Sequence, residues 1–161
     1  MVLSKMIRVL FVCLGNICRS PMAEAILRDK IQKEDLNDKI EVDSAGTAGW
    51  HTSKPPHEGT RELLDRMKIS YKGMKARQIH KNDFIDFAYI IAMDDQNIKD
   101  LAHEYQTHDD VVVAKLMDFV AEPLEVNVPD PYYTGDFDYT YRLISDGIEN
   151  LLDHIKEKHH I

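Results

Sequence analysis

A cysteine and an arginine separated by five residues are the groups in this chain best placed to do chemistry: Cys13 and Arg19 in Val12-Cys13-Leu14-Gly15-Asn16-Ile17-Cys18-Arg19-Ser20-Pro21. The spacing lets a short loop close around a tetrahedral oxyanion. A loop curling between a strand and a helix aims successive backbone N–H groups inward, and the helix N-terminus adds partial positive charge at the same point. Arg19 supplies a planar, two-pronged donor for two oxygens, a fork that lysine cannot duplicate. Gly15 and Asn16 tolerate the left-handed torsions that a closed loop uses. The same field favours the thiolate of Cys13, a nucleophile at neutral pH. Ser20 can donate to that sulfur, both before attack and when it departs from a phosphocysteine. No Gly-Lys-Ser/Thr closes the loop, so it is not a nucleotide-binding Walker loop.

Such a loop has to be held between a buried strand and a helix. Met6 to Val12 is apolar, rich in branched residues and followed by Gly15-Asn16, which reads as the strand. Ser20-Pro21 sets a capping hydroxyl before a first-turn proline, and Met22, Ala25, Ile26 and Ile31 continue with helical spacing. Ile40-Glu41-Val42 is a short second strand leading into Asp43-Ser44-Ala45-Gly46-Thr47, and an irregular loop over 49–56 carries the single Trp50. A helix is expected from about Pro56 through Leu63, Leu64 and Met67, then a third strand at Phe87–Met93. Asp94 or Asp95 caps a helix with Ile98 and Leu101, Val111–Met117 forms the fourth strand, and Tyr139–Ile155 is a long amphipathic helix. The terminal His159-His160-Ile161 is expected to fray. Strands alternating with helices imply an α/β fold: a four-stranded parallel sheet, helices on both faces, and the phosphate-binding loop after the first strand. No repeat, low-complexity tract or linker divides the chain, and residues 1–161 read as a single domain.

Composition narrows the function classes. Apolar residues make up 43% of the 161 and charged ones 30%, with 7 Gly and 6 Pro, which excludes fibrous and disordered classes. The net charge of −8 repels polyanions, so nucleic acid is not an expected partner. Cys13 and Cys18 are too few for a secreted disulfide framework and supply only half of a four-ligand zinc site, so a reducing cytoplasm is expected and no metal. No apolar run reaches membrane-spanning length, and membrane insertion is not expected. Lys5 and Arg8 ahead of Val9–Leu14 superficially suggest a signal peptide, but the apolar core is short and the small-residue cleavage pattern is missing. His51, His57, His103 and His108 lack ligand spacing and read as surface or capping residues.

The segment from Val12 through Pro21 resembles the N-terminal signature of the low-molecular-weight protein tyrosine phosphatases of bacterial type. The resemblance extends over nearly the whole chain, with further matches at Asp43–Thr47, at Ala92-Met93-Asp94 with Asn97, and at Val128-Pro129-Asp130-Pro131-Tyr132-Tyr133. It implies a four-stranded parallel sheet and a two-step phosphatase without metal or other cofactor, passing through a phosphocysteine on Cys13. Asp130 matches the general acid, which chemistry requires because a phenolate leaves poorly unless a proton arrives as the P–O bond breaks; the same carboxylate then serves as base for water. Leu14, Ile17, Trp50, Tyr132 and Tyr133 match the walls of an apolar slot suited to a phenyl ring. Asn16 and Ser44 match residues that brace the loop. Met74 departs from the pattern, standing where many members have a histidine bonded to that asparagine.

Within the family, arsenate reduction uses two distal cysteines, and this chain has none beyond Cys18. Dephosphorylation of arginine goes with threonine at the place of Ile17 and Asp-Pro-Phe at the place of Asp130-Pro131-Tyr132, so both positions favour phosphotyrosine. Phosphotyrosine proteins are the expected partners, met by a monomer. Two readings from other classes are a phosphate-binding module without turnover, against which Asp130 argues, and a thiol-redox protein. The redox idea survives as regulation, with Cys18 trapping an oxidised Cys13 as a disulfide.

Overall fold

A computed structural model describes residues 6–106 and 109–161; Lys5 and His108 lie outside the described residues. At its centre β1 (Ile7–Cys13), β2 (Ile40–Gly46), β3 (Tyr89–Ala92) and β4 (Val112–Lys115) form a parallel sheet in the order β2-β1-β3-β4. β1 is apolar at successive positions because helices cover both faces. Val9, Phe11 and Cys13 join one core with residues of α1 (Arg19–Lys33), α2 (Glu58–Arg66) and α6 (Phe137–His159). Leu10 and Val12 point the other way, into a core with Phe84 of α3 (Asp83–Asp86) and Leu101 of α4 (Asp95–Glu104). Both the fold class and the strand count match the sequence reading.

The chain leaves β1 towards one side, to β2, and later crosses to the other side, to β3. Connections leaving the C-terminal ends of β1 and β3 therefore diverge, which opens a crevice there. Cys13 ends β1, and Asp94 follows β3. A short helix, α5 (Pro131–Thr134), is capped by Asp130, whose side chain accepts from the Tyr132 N–H.

Several boundaries differ from expectation for identifiable reasons. β2 runs on to Gly46, because Asp43–Gly46 keep pairing with Leu10–Cys13, and the polar Asp43 and Ser44 disguise that continuation. β4 stops at Lys115, where the Asp118 carboxylate accepts the Lys115 N–H at 2.9 Å and winds Leu116–Phe119 into a 3-10 turn. α2 starts at Glu58 rather than Pro56, with His57 Nδ1 as the capping acceptor for the Gly59 N–H. Asp94, not Asp95, caps α4. α1 begins at Arg19 with no side-chain cap; Ser20 is inside the helix and turned towards Cys13, so its hydroxyl is not a capping group.

α6 is longer than expected at both ends, from the Asp136 cap to His159. Its end does not fray: the Tyr89 hydroxyl meets His159 Nε2 at 2.9 Å, and the Ile161 N–H bonds to the Lys156 carbonyl at 3.0 Å. Among the described residues no helix is long and apolar enough to cross a membrane.

Candidate active site

The loop between β1 and α1 is tied down through its outward-facing carbonyls. Cys13 O accepts from Thr47 N–H, Leu14 O from Ala48 N–H, and Ile17 O from His57 N–H, at 2.9, 2.9 and 2.7 Å. The Thr60 hydroxyl donates to the Cys18 carbonyl at 3.2 Å. In a trans peptide the N–H lies opposite the C=O, so these ties turn the intervening amides to the inner side of the loop.

Asn16 takes the left-handed conformation, with φ of 57°. Gly15 does not; it is small for another reason, since a Cβ there would stand 3.0 Å from the His51 ring. Gly46, paired with Cys13 across the sheet, is more constrained, because a Cβ would lie 2.8 Å from the Leu14 carbonyl and 2.9 Å from that of Ala48.

Asn16 is the hub beneath the loop. Its Nδ2 donates to Ser20 Oγ at 2.7 Å and Ser44 Oγ at 2.9 Å, while its Oδ1 accepts from the Arg77 N–H at 3.0 Å. Ser20 Oγ lies 3.0 Å from Cys13 Sγ. The web extends to a residue that sequence reasoning missed: the Ser44 hydroxyl donates to buried Glu24 at 2.6 Å, and Glu24 is paired with Arg28. Met74 does not leave the hub unbraced, because the Arg77 backbone takes up the asparagine oxygen. The Arg77 guanidinium is itself clamped between Asp43 and Asp83.

Arg19, 2% exposed, reaches the crevice from the first residue of α1. Its Nη1 donates to Asp94 at 2.6 Å and to the Val128 carbonyl at 2.9 Å, and its Nη2 faces Asp130 at 3.4 Å. Burial works against its charge, but Cys13, Asp94 and Asp130 together outweigh that and hold its pKa above the ordinary value. Its Nε is buried without a partner among the described residues. A buried guanidinium edge with an unused donor suits an oxyanion.

Above the loop lies a cleft of about 280 Å³. Cys13, Leu14, Gly15, Ile17 and Cys18 form its floor, and Asp130, Trp50, Tyr132 and Tyr133 rise around it with His51. Trp50, Tyr132 and Tyr133 are 70%, 55% and 74% exposed, so they form a wet aromatic rim rather than core. The two tyrosines meet edge to face, and the His57 ring stands edge-on to Tyr132 while stacking on Phe137. Thus the structure brings Cys13, Leu14, Gly15, Ile17, Cys18, Trp50, Asp130, Tyr132 and Tyr133 to one cleft, Arg19 against Asp130, and Asn16, Ser20 and Ser44 beneath it.

Asp94 and His51 belong to this neighbourhood, but Asp94, though within a segment matching the family, was given no role beyond a helix cap, and His51 was read as a surface or capping residue. Asp94 does cap α4, through Oδ1 to the Asn97 N–H, while its other oxygen holds Arg19. Nothing in local spacing reveals that second contact. Both cysteines are free and buried. Burial, with Cys13 and Asp130 adding to it, pushes the Cys18 thiol from 9.0 up to about 12, so Cys18 stays protonated at neutral pH. Among the described residues no cluster of three or more His, Cys, Asp or Glu is placed to hold a metal.

A parallel sheet ending in a cysteine-arginine loop at its switch point defines an α/β phosphatase-like protein, and comparison with known proteins resolves the class. Residues 8–160 match the family model for low molecular weight phosphotyrosine protein phosphatases. The chain is 52% identical to the low molecular weight protein-tyrosine-phosphatase YfkJ of Bacillus subtilis, covering 95% of this chain and 98% of that one. The YfkJ crystal structure superimposes with a TM-score of 0.93, covering 96% and 98% of the two chains. PtpA of Staphylococcus saprophyticus, another low molecular weight protein-tyrosine-phosphatase, is 44% identical over 93% of this chain and 94% of its own. A Drosophila arginine phosphatase is 34% identical, with a TM-score of 0.84 over 92% and 97% of the two chains. The chain belongs to the low molecular weight phosphotyrosine protein phosphatase family, a family of hydrolases.

Proposed function

We propose that this protein hydrolyses phosphotyrosine in proteins in two steps, through a phosphocysteine on Cys13. The observation that carries the reading is the meeting at one cleft of a buried thiol and a carboxylate, with a buried arginine that keeps an unused donor held against that carboxylate. The phosphate dianion enters over the Leu14–Cys18 loop, takes the inward amides and the free edge of Arg19, and replaces Asp130 as partner of Nη2. Asp94 and the Val128 carbonyl keep hold of Nη1 meanwhile, so the guanidinium does not swing.

Released from Arg19 and protonated from solvent, Asp130 delivers that proton to the departing oxygen as Cys13 attacks phosphorus and the P–O bond to the phenol breaks. In the second step Asp130, now a carboxylate, takes a proton from water as the water attacks the phosphocysteine. The Ser20 hydroxyl steadies the sulfur that leaves. No step calls for a metal or cofactor.

The lining of the cleft favours an aromatic substrate: a phenyl ring can lie against the exposed rings of Trp50, Tyr132 and Tyr133, contacts that the short arm of a serine phosphate does not make. Ile17 in the floor and Tyr132 on the rim favour an aromatic ring over the polar arm of phosphoarginine. The protein acts as a monomer on phosphotyrosine proteins of cytoplasmic signalling; two buried, unpaired thiols fit a reducing compartment.

Phosphate release from a phosphotyrosine peptide, measured in EDTA for the wild type and Cys13→Ser, tests the reading. Turnover that survives chelation and vanishes in the variant is expected. Absence of turnover by the reduced wild type would overturn it, and comparable turnover of phosphoarginine peptides would overturn the specificity argument.

A further inference from the structure

The hydrogen-bond donors beneath the loop can be put in order. Asn16 Oδ1 accepts from the Arg77 backbone N–H, so the amide nitrogen must face Ser20 and Ser44. An amide NH2 only donates. Both serine oxygens therefore accept from Asn16, and each serine has one proton left to place. Ser44 gives its proton to Glu24 Oε1 at 2.6 Å. For Ser20 the near acceptor is Cys13 Sγ at 3.0 Å, with the Ala45 carbonyl at 3.5 Å. The donors run outward from Asn16 in both directions and end on a carboxylate at one side and on the sulfur at the other.

Glu24 is 4% exposed, and its second oxygen is paired with Arg28. Burial pushes its carboxyl pKa up, Asp43 adds to that, and Ser44 and Arg28 oppose it. Without an acceptor at this place the Ser44 proton would turn back and meet the Asn16 NH2 donor against donor. Asn16 would then shift, and Ser20 would lose the donor that keeps its own proton directed at the sulfur.

We propose that Glu24 is a positioning residue for Cys13: by accepting from Ser44 it fixes Asn16, and through Asn16 it keeps the Ser20 hydroxyl donating to the sulfur. The inference rests on Cys13 being the nucleophile.

Glu24→Gln leaves one acceptor oxygen for two donors, Ser44 and Arg28. The midpoint of the pH profile for Cys13 alkylation by iodoacetamide, followed by mass spectrometry, is expected to rise by about one pH unit, a tenfold loss of thiolate. For a phosphotyrosine peptide kcat is expected to fall about tenfold with KM within about twofold, since the lost interaction is not with substrate. Adding Arg28→Met removes the rival donor, lets the amide oxygen turn to Ser44, and is expected to return both readouts towards wild type.

If Glu24 only holds Arg28, the alkylation midpoint stays in place in Glu24→Gln, and the double variant is no better than the single one; either result overturns the proposal. Should Glu24→Gln not fold, Ser44→Ala cuts the same link, and an unmoved midpoint there overturns it equally. Alkylation does not depend on turnover. A wild type inactive on phosphotyrosine whose midpoint still moves in Glu24→Gln would refute the proposed function and support the positioning role.

Discussion

Arg19 Nη1 lies 2.6 Å from Asp94 Oδ2, so the start of α1 and the end of β3 are joined by an ion pair at the floor of the crevice. Asp94→Asn keeps the helix cap but leaves buried Arg19 with one compensating charge fewer. Stability to urea is expected to fall by about 1–3 kcal/mol, the usual range for a buried polar group that loses a partner. The inhibition constant for inorganic phosphate is expected to rise as the guanidinium loses its fixed orientation; an unchanged constant would show that Val128 alone orients it.

Asp130→Asn removes the proposed proton donor without changing size. A kcat loss of about 10²- to 10⁴-fold is expected for phenyl phosphate, whose leaving group needs protonation, and a smaller one for p-nitrophenyl phosphate. Equal losses on both would mean that Asp130 acts through Arg19, which it faces at 3.4 Å, rather than through the leaving oxygen.

The protonated state of Cys18 limits how fast it can rescue an oxidised Cys13. Disulfide formation from a sulfenic acid needs the attacking sulfur as thiolate and releases water. Burial, the largest cause of the raised Cys18 pKa, and the charge of Asp130 both persist after Cys13 is oxidised, so the crosslink after peroxide treatment is expected to form slowly at pH 7. Its rate is expected to rise about tenfold for each pH unit up to 9, with activity recovered by dithiothreitol. A rate flat with pH would contradict this, and irreversible inactivation without a crosslink would remove the protective role altogether.

Burial, together with Lys158, His154 and His160, lowers the His159 pKa below its ordinary 6.5, which favours the neutral ring beside the Tyr89 hydroxyl. A group whose folded pKa is depressed contributes stability above its unfolded pKa, and that stability is lost as pH falls through the folded value. The melting temperature is therefore expected to drop on acidification from about pH 7 to 5. His159→Gln is expected to lose part of that pH dependence; a parallel drop in wild type and variant would assign it to other groups.

How far the sequence could be read depended on the range over which each contact acts. Strands β1 and β3 and the course of α1 follow from runs of apolar residues and their spacing, and the loop between Cys13 and Arg19 carries its chemistry in contiguous residues. Glu24, Arg77 and Asp94 were opaque because their partners are distant in the chain: Ser44, Asn16 and Arg19 respectively. Ser20 was read half correctly: its hydroxyl does answer to the sulfur across the loop, as the chemistry of the loop suggested, but it does not cap the helix that a serine before a proline signals. The extension of β2 through Asp43 and Ser44 was hidden by polar residues that serve the site from within a strand. Asp130 was legible only through family resemblance, since Asp-Pro by itself signals a turn.

The pairing of Arg19 with Val128 and Asp130 spans 109 and 111 positions of the chain. During synthesis, Cys13 and its loop leave the ribosome long before the segment that fixes Arg19 and carries Asp130. Even then, α6 must still be made to close the core over β1. A nascent or C-terminally truncated chain thus lacks the partners that fix Arg19, and assembly of the complete site waits on the docking of the last helix.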